Sequence, residues 1–220
     1  TAILSGDQML IEAYKLLSGV PADKLPKVMQ LFNKMATEIC EGQQYDVDFE
    51  SQEHVTIEEY LKMIRLKTSV LLANALQIGA YIAGASEEEQ QAVYQFGINI
   101  GLAFQIQDDI LDYKRDNNTG KPSNNDLREH KITLPLIEVM ERGDDTLREE
   151  IIALLKRCDS DEEAVNKLHN IVIERGGMEY AAATMQAYIQ RALHLLSKYS
   201  DTPYRTALME LCAYIAERDR

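Results

Sequence analysis

The segment of this chain with the most chemical potential is an apolar helical stretch interrupted by acids, Gly101-Leu-Ala-Phe-Gln-Ile-Gln-Asp-Asp-Ile-Leu-Asp112. Gln105, Asp108 and Asp112 are spaced by three and four residues, so they share one face of a helix. Asp109 is turned by about 100° from its neighbour. Burying a row of like charges is unfavourable unless a cation meets them. Carboxylates without histidine or cysteine nearby favour Mg²⁺, which completes its shell with water and phosphate oxygens.

A second polar segment follows this helix. Residues 120–136 read Gly-Lys-Pro-Ser-Asn-Asn-Asp-Leu-Arg-Glu-His-Lys-Ile-Thr-Leu-Pro-Leu, a glycine-bearing loop with two lysines that leads into another apolar stretch. Acidic pairs on helices usually lie on a solvated face, so an acidic motif considered alone is weak evidence for a site. Here apolar residues are interspersed among the acids, which is not typical of a run of charges exposed to water. The two segments together therefore indicate a site.

In residue types, spacing and order, these two segments resemble the second aspartate-rich motif and the following lysine loop of the trans-polyprenyl diphosphate synthases. This family includes farnesyl and geranylgeranyl diphosphate synthases, and the resemblance extends over nearly the whole chain. It implies an all-α fold, an isoprenoid-synthase-type helical bundle. The implied reaction is the Mg²⁺-assisted, head-to-tail condensation of isopentenyl diphosphate with an allylic diphosphate.

The resemblance also assigns roles to individual residues. It makes Asp108, Asp109 and Asp112 the ligands of the Mg²⁺ that bridges to the allylic diphosphate. The implied catalytic groups are the Lys-Thr pair of the preceding helix, the glutamine beside the diphosphate and the two loop lysines: Lys67, Thr68, Gln105, Lys121 and Lys131. The same residues bind substrate, together with Gln43 and Asp46 opposite the allylic site and Phe104 beside the homoallylic pocket.

The chemistry of the reaction supports these roles independently. Ionisation of an allylic diphosphate creates a carbocation and a pyrophosphate leaving group, whose charge is best stabilised by a metal and lysines in a preorganised site. The rest of the pocket must be apolar and exclude water. Taken alone, however, Lys67 could extend to solvent along its apolar stem, Lys121 and Lys131 could be surface charges, and Asp126 could be a turn or cap residue.

The elements that position these residues are expected to be helices. The periodicity predicts one from about Val28 that ends near Gly42, one from Ile57 to about Gly84, capped by Thr56 with Glu59, and one from Ser86 to about Tyr113. Residues 115–130 are predicted to be irregular. Further helices are predicted near 132–142, 145–157, 161–175, 177–199 and 204–218. We expect residues 1–220 to form a single all-α domain, the C-terminal two-thirds of the family domain.

Composition excludes several other classes of protein. The formal net charge of −13 argues against a nucleic-acid partner. The most apolar run, residues 70–85, is too short to span a bilayer comfortably, so no transmembrane segment is expected. Cys40, Cys158 and Cys212 are widely spaced in apolar helical patterns and are expected to be buried, reduced thiols. These features predict a cytoplasmic protein, and the family resemblance adds an expected homodimer.

One departure from the family pattern limits the functional prediction. The family carries a first aspartate-rich motif and paired arginines upstream of a Ser-Gly-Asp helix start, and here that start is Ser5-Gly6-Asp7. The first motif, the arginine pair and the residues that bind isopentenyl diphosphate are therefore absent, so the N-terminal helices and part of the active site are expected to be missing. The chain could be a C-terminal piece of a synthase, a subunit completed by a partner, or a non-catalytic protein. A class I terpene cyclase is a further alternative, although the Lys-Thr pair and the lysine loop favour the synthase.

Overall fold

The computed structural model describes residues 2–114 and 124–218, and every regular element in them is helical. The helices are α1 (Ala2–Leu17), α2 (Leu25–Phe49), α3 (Ile57–Ile64), α4 (Val70–Ile82), α5 (Glu87–Tyr113), α6 (Asn125–Arg128), α7 (Leu134–Arg142), α8 (Asp145–Leu155), α9 (Glu162–Glu174), α10 (Gly177–Leu196) and α11 (Pro203–Glu217). A π-helical turn, Arg65–Ser69, joins α3 directly to α4. The expected all-α fold is thus confirmed.

Local sequence signals explain where several helices begin. The side chain of Thr56 accepts a hydrogen bond from the backbone of Glu59, and the Glu59 carboxylate accepts one from the backbone of Thr56 in return. Ser86 and Glu89 form the same reciprocal arrangement at the start of α5. Each pair satisfies two backbone amides that the first turn leaves without helical partners. The starts of α3 and α5 therefore agree with the sequence prediction.

The predicted end of α2 near Gly42 is wrong, because the helix continues to Phe49. Gly42 is buried in the middle of α2, where a Cβ atom would lie 2.3 Å from the backbone nitrogen of Lys67. The glycine therefore permits close contact between two segments of backbone and does not terminate the helix. Its position matters for the site, since the segment that it contacts is the π-helical turn.

The central element of the fold is α5, which packs between α4 and α10. Ala103 and Ile106 on this helix are completely buried. A Cβ atom on Gly101 would lie 2.5 Å from the Cα atom of Ser69, so α5 also approaches the π-helical turn very closely. The acidic motif is carried by the last two turns of this central helix.

Two surface features complete the description. Helix α1 has no buried residue, and its exposed apolar side chains are Ile3, Leu4, Met9, Leu10, Ile11, Tyr14 and Leu16. Among the described residues, no helix is long and apolar enough to cross a bilayer. Cys158 and Cys212 are buried and reduced, whereas Cys40 is exposed on α2, which corrects the expectation of burial for that residue.

Candidate active site

Residues from α2, α3, the π-helical turn, α5, α6 and the segment after α6 meet around one cavity of about 90 Å³. Its polar lining consists of Asp46, Glu50, Tyr60, Lys67, Gln105, Asp109, Asp126, Lys131 and Thr133, and its apolar lining of Phe49, Met63, Ile64 and Ile132. Five residues predicted from the sequence, Asp46, Lys67, Gln105, Asp109 and Lys131, are therefore brought together. Lys121 lies outside the described residues.

The π-helical turn places the Lys-Thr pair at this cavity. The Nζ atom of Lys67 lies 2.5 Å from Oδ2 of Asp46 on α2, and the amide of Gln43 donates to the same carboxylate at 3.5 Å. The hydroxyl of Thr68 donates to Oε1 of Gln105 at 3.1 Å. Wide π-helical turns within α-helical segments often occur at functional sites, because they redirect side chains that a regular helix would place elsewhere. Here the turn directs two adjacent side chains towards α2 and α5 respectively.

Asp109 is the most enclosed acid of the motif. Its side chain is 4% exposed and accepts hydrogen bonds from the hydroxyl of Tyr60 and from the amide of Gln105, the latter at 3.4 Å. Burial raises the pKa of Asp109 to about 8, although the hydrogen bond from Tyr60 acts in the opposite direction. A carboxyl group with this pKa is largely protonated at neutral pH until a cation approaches it.

Asp112 is held by backbone amides. The amides of Asn125 and Asp126 donate to its two carboxylate oxygens, each at 3.0 Å. Burial, with a contribution from the charge of Asp126, raises the pKa of Asp112 to about 6. Both oxygens keep lone pairs available, so this carboxylate can still accept a cation.

Asp126 on α6 and Lys131, shortly after this helix, also line the cavity. The Nζ atom of Lys131 lies 3.5 Å from the Asp126 carboxylate and 2.6 Å from that of Glu129. Burial raises the pKa of Asp126. Burial also acts to lower the pKa of Lys131, but the hydrogen bond to Glu129 and the charge of Asp126 outweigh it and raise that pKa. The sequence prediction left Asp126 as a possible turn or cap residue, whereas its carboxylate faces the cavity.

Asp108 and Phe104 lie apart from the cavity lining and contact the C-terminal segment. The guanidinium group of Arg218 pairs with the Asp108 carboxylate and donates to the backbone oxygen of Phe104 at 3.0 Å. The Cζ atom of Arg218 is 4.1 Å from the centroid of the Phe104 ring, a cation–π contact. The amide of Gln107 donates to the backbone oxygen of Arg218 at 2.8 Å, which fixes the end of α11 against α5.

Two of these contacts involve residues that the sequence prediction did not assign to the site. Tyr60 precedes Lys67 by seven residues and Met63 by three, a helical spacing that could have placed it on the same face. The contact of Arg218 with Asp108 spans 110 positions and has no local signal in the sequence.

The donor set suits a hard divalent cation. Every candidate ligand at the site is a carboxylate, and two of them, Asp109 and Asp126, face the cavity with pKa values raised by burial, so a cation would relieve their unfavourable charge. Within the described residues, no group of three acidic, histidine or cysteine side chains forms a complete metal site by itself. That is compatible with Mg²⁺, which usually takes one or two carboxylates and obtains its other ligands from water and substrate phosphates.

Comparisons with known proteins agree with this architecture. The chain is 36% identical to a geranylgeranyl diphosphate synthase of Methanosarcina mazei, an alignment that covers 99% of this chain and 66% of the relative. The crystal structure of a geranylgeranyl pyrophosphate synthetase from Pyrococcus horikoshii superposes with a TM-score of 0.89 at 32% identity, over 99% of this chain and 67% of that one.

A polyprenyl synthase from Caulobacter crescentus, solved in complex with calcium and isoprenyl diphosphate, gives a TM-score of 0.88 at 27% identity, over 99% of this chain and 66% of the other. The chain thus spans about two thirds of the length of the relatives that it matches. The model of the polyprenyl synthetase family matches residues 1–172. These residues, together with the helical bundle and its acidic cavity, identify the chain as a member of the polyprenyl synthetase family.

Proposed function

We propose that this chain forms the allylic diphosphate side of a prenyl-elongating synthase, which condenses isopentenyl diphosphate with an allylic diphosphate. The observation that carries the proposal is the cavity in which Lys67 and Lys131 face the carboxylates of Asp109 and Asp126. Mixed charge of this kind fits a diphosphate accompanied by a divalent cation better than it fits either one alone. The Caulobacter relative, solved with calcium and isoprenyl diphosphate, supports the same combination.

The lysines would bind and orient the diphosphate. Lys67 is now paired with Asp46, and Lys131 with Asp126 and Glu129. Each ammonium group carries three donors, so it can keep one carboxylate partner and still donate to a phosphate oxygen. Gln105, fixed by Thr68, offers its amide beside them. These groups are preorganised around the position at which the leaving group gains negative charge.

Mg²⁺ held by Asp108, Asp109 and Asp112, as the sequence predicts, would neutralise the departing diphosphate. The apolar part of the lining, Phe49, Met63, Ile64 and Ile132, would exclude water from the allylic carbon as it becomes cationic. The remainder of the site, including groups that bind isopentenyl diphosphate, is proposed to come from segments outside these 220 residues. We also propose that the protein is cytoplasmic, as its composition predicts, and that it forms a homodimer, as the resemblance implies.

The binding part of this proposal can be measured directly. Isothermal titration with a non-ionisable thio analogue of geranyl diphosphate is expected to show binding in Mg²⁺ and little binding in EDTA. Lys67→Gln removes one charged hydrogen bond and should weaken binding by about 10- to 100-fold, whereas Lys198→Gln, at an exposed position away from the cavity, should not. Equal binding with and without Mg²⁺, or by wild type and Lys67→Gln, would contradict the proposal.

The reaction class needs a second assay. The chain, together with the segments proposed to complete the site, is incubated with labelled isopentenyl diphosphate, an allylic diphosphate and Mg²⁺, and the label is followed into a longer, acid-labile diphosphate. Incorporation of the label supports condensation. Loss of diphosphate from the allylic substrate, without incorporation of label, would instead support the cyclase alternative.

A further inference from the structure

A group of hydrogen bonds fixes the last acid of the motif, Asp112, against the backbone of residues 124–126. The amides of Asn125 and Asp126 hold the Asp112 carboxylate, and the amide of Asn124 donates to the backbone oxygen of Asp112 at 2.8 Å. Three consecutive amides thus converge on one residue. The orientation of the Asp112 carboxylate therefore depends on the conformation of Asn124, which begins this run.

Asn124 adopts a left-handed backbone conformation. Its φ of 59° and ψ of 35° lie in a region that asparagine enters more readily than most residues with a side chain, because its short amide can form local hydrogen bonds. Its side chain is buried, being 4% exposed, so its amide group must find a partner within the protein. A residue of this kind persists where surrounding contacts determine its conformation.

The partner is His169 on α9, 45 residues further along the chain. Nδ1 of His169 lies 2.8 Å from Oδ1 of Asn124, and because this oxygen can only accept, the imidazole N–H donates. The His169 ring also stacks on Tyr113, the residue after Asp112, with centroids 5.9 Å apart and planes inclined by 28°. His169 is itself 6% exposed. One buried side chain thus contacts both segments whose relative position sets the Asp112 carboxylate.

We propose that His169 is a positioning residue for the metal side of the site. Through Asn124 it fixes the amides that orient Asp112, and it sets the start of the segment that presents Asp126 to the cavity. This inference rests on the proposed function, because it assumes that Asp112 contributes to a cation and diphosphate site. Groups that hold a metal-binding side chain in place typically contribute 10- to 100-fold to metal affinity.

Two substitutions of His169 separate the contribution of its hydrogen bond to Asn124 from that of its ring stacking on Tyr113. His169→Phe keeps a ring against Tyr113 and removes the donor, whereas His169→Asn keeps a nitrogen donor close to the position of Nδ1 and removes the ring. We expect His169→Phe to weaken Mn²⁺ binding about tenfold, measured by electron paramagnetic resonance in the presence of inorganic pyrophosphate. His169→Asn should retain most of the affinity. The matched control is His194→Phe, at an exposed position on α10.

A second readout does not depend on metal. Hydrogen exchange of the Asn125 and Asp126 amides should accelerate in His169→Phe and remain near the wild-type rate in His169→Asn. Glycine tolerates positive φ, so Asn124→Gly removes the side chain without straining the backbone. The double variant with His169→Phe and Asn124→Gly should bind Mn²⁺ almost as well as His169→Phe alone, because both changes remove the same hydrogen bond.

The outcomes distinguish the two proposals. If wild type binds no Mn²⁺ with pyrophosphate, the proposed function fails, and this inference fails with it. If wild type binds and His169→Phe binds equally well, only the positioning role is overturned. Equal losses in His169→Phe and His169→Asn would also overturn it, because they would indicate a general packing role for the ring position.

Discussion

At the scale of single residues, the three acids of the motif are contacted by three different kinds of hydrogen-bond donor. Asp108 faces a guanidinium group, Asp109 a phenol and an amide, and Asp112 two backbone amides. The sequence predicted these acids as one set of metal ligands, which stays a prediction. It could not predict their partners, because Tyr60 and Arg218 are 49 and 110 positions away from the acids that they contact. Helical spacing identifies the residues on one face, but not the groups that meet that face.

The raised pKa of Asp109 predicts how the stability of the metal-free protein changes with pH. In the native state this carboxyl holds its proton up to about pH 8, whereas an unfolded aspartate loses it near pH 4. Between these values the native state binds more protons, so the free energy of unfolding should fall as the pH rises. Asp109→Asn keeps a neutral acceptor for Tyr60 and should reduce this fall. Urea unfolding in EDTA at pH 5 and pH 8 measures it, and an equal fall in wild type and variant would be the contrary result.

The ion pair between Arg218 and Asp108 leads to a prediction that the guanidinium group competes with a metal ion for the Asp108 carboxylate. The guanidinium group occupies the carboxylate that a metal would use, so a metal ion must displace it or share the site with it. Arg218→Gln should therefore increase Mn²⁺ affinity measured without diphosphate, by about tenfold if one charged hydrogen bond is no longer displaced. Arg191→Gln, on the exposed side of α10, is the control. Weaker Mn²⁺ binding by Arg218→Gln would mean that the arginine supports the site and does not compete for it.

At the scale of elements, periodicity predicted the helices well and their interruptions poorly. The five helices after residue 132 and the extent of α5 agree with the sequence prediction to within a few residues. The stretch from Ile57 is helical to Ile82 as expected, but the hydrophobic pattern did not reveal the π-helical turn within it. Gly42 was misread as a helix end for the same reason. Both features lie where distant segments of backbone meet, since Gly42 approaches Lys67 and Gly101 approaches Ser69, and a local pattern does not contain such contacts.

A pair of glycine substitutions tests this account of the π-helical turn. In Gly42→Ala the new Cβ would lie 2.3 Å from the backbone nitrogen of Lys67, so backbone must move, and we expect a destabilisation of about 3 kcal/mol. In Gly79→Ala the new Cβ would meet no atom within 4 Å beyond its chain neighbours and its own helix backbone, and alanine should stabilise α4 by about 0.5–1 kcal/mol. Chemical denaturation measures both values. Similar effects of the two substitutions would show that the close contact at Gly42 is unimportant.

At the scale of the whole molecule, burial is distributed unevenly. The core extends from α2 to α11, whereas no residue of α1 is buried. The sequence predicted the fold class correctly, since helical periodicity runs through nearly every segment. The exposure of α1 was not foreseen residue by residue, because its apolar side chains follow the same pattern as those of core helices. Amphipathic spacing indicates that a helix has an apolar face, but it does not indicate what covers that face.

This unevenness predicts that α1 and α5 differ strongly in local stability. Amide exchange from α1 requires only local opening, because few apolar contacts hold it, so its protection should be small. The amides of α5 around Ala103 and Ile106 should exchange only on global unfolding, with a free energy of about 5–15 kcal/mol. Hydrogen exchange followed by mass spectrometry, at two protein concentrations, measures both helices in one sample. Protection of α1 that increases with concentration would support the proposed homodimer, because a second copy would then cover the face. Exchange of α1 as slow as that of α5 at the lower concentration would contradict the prediction.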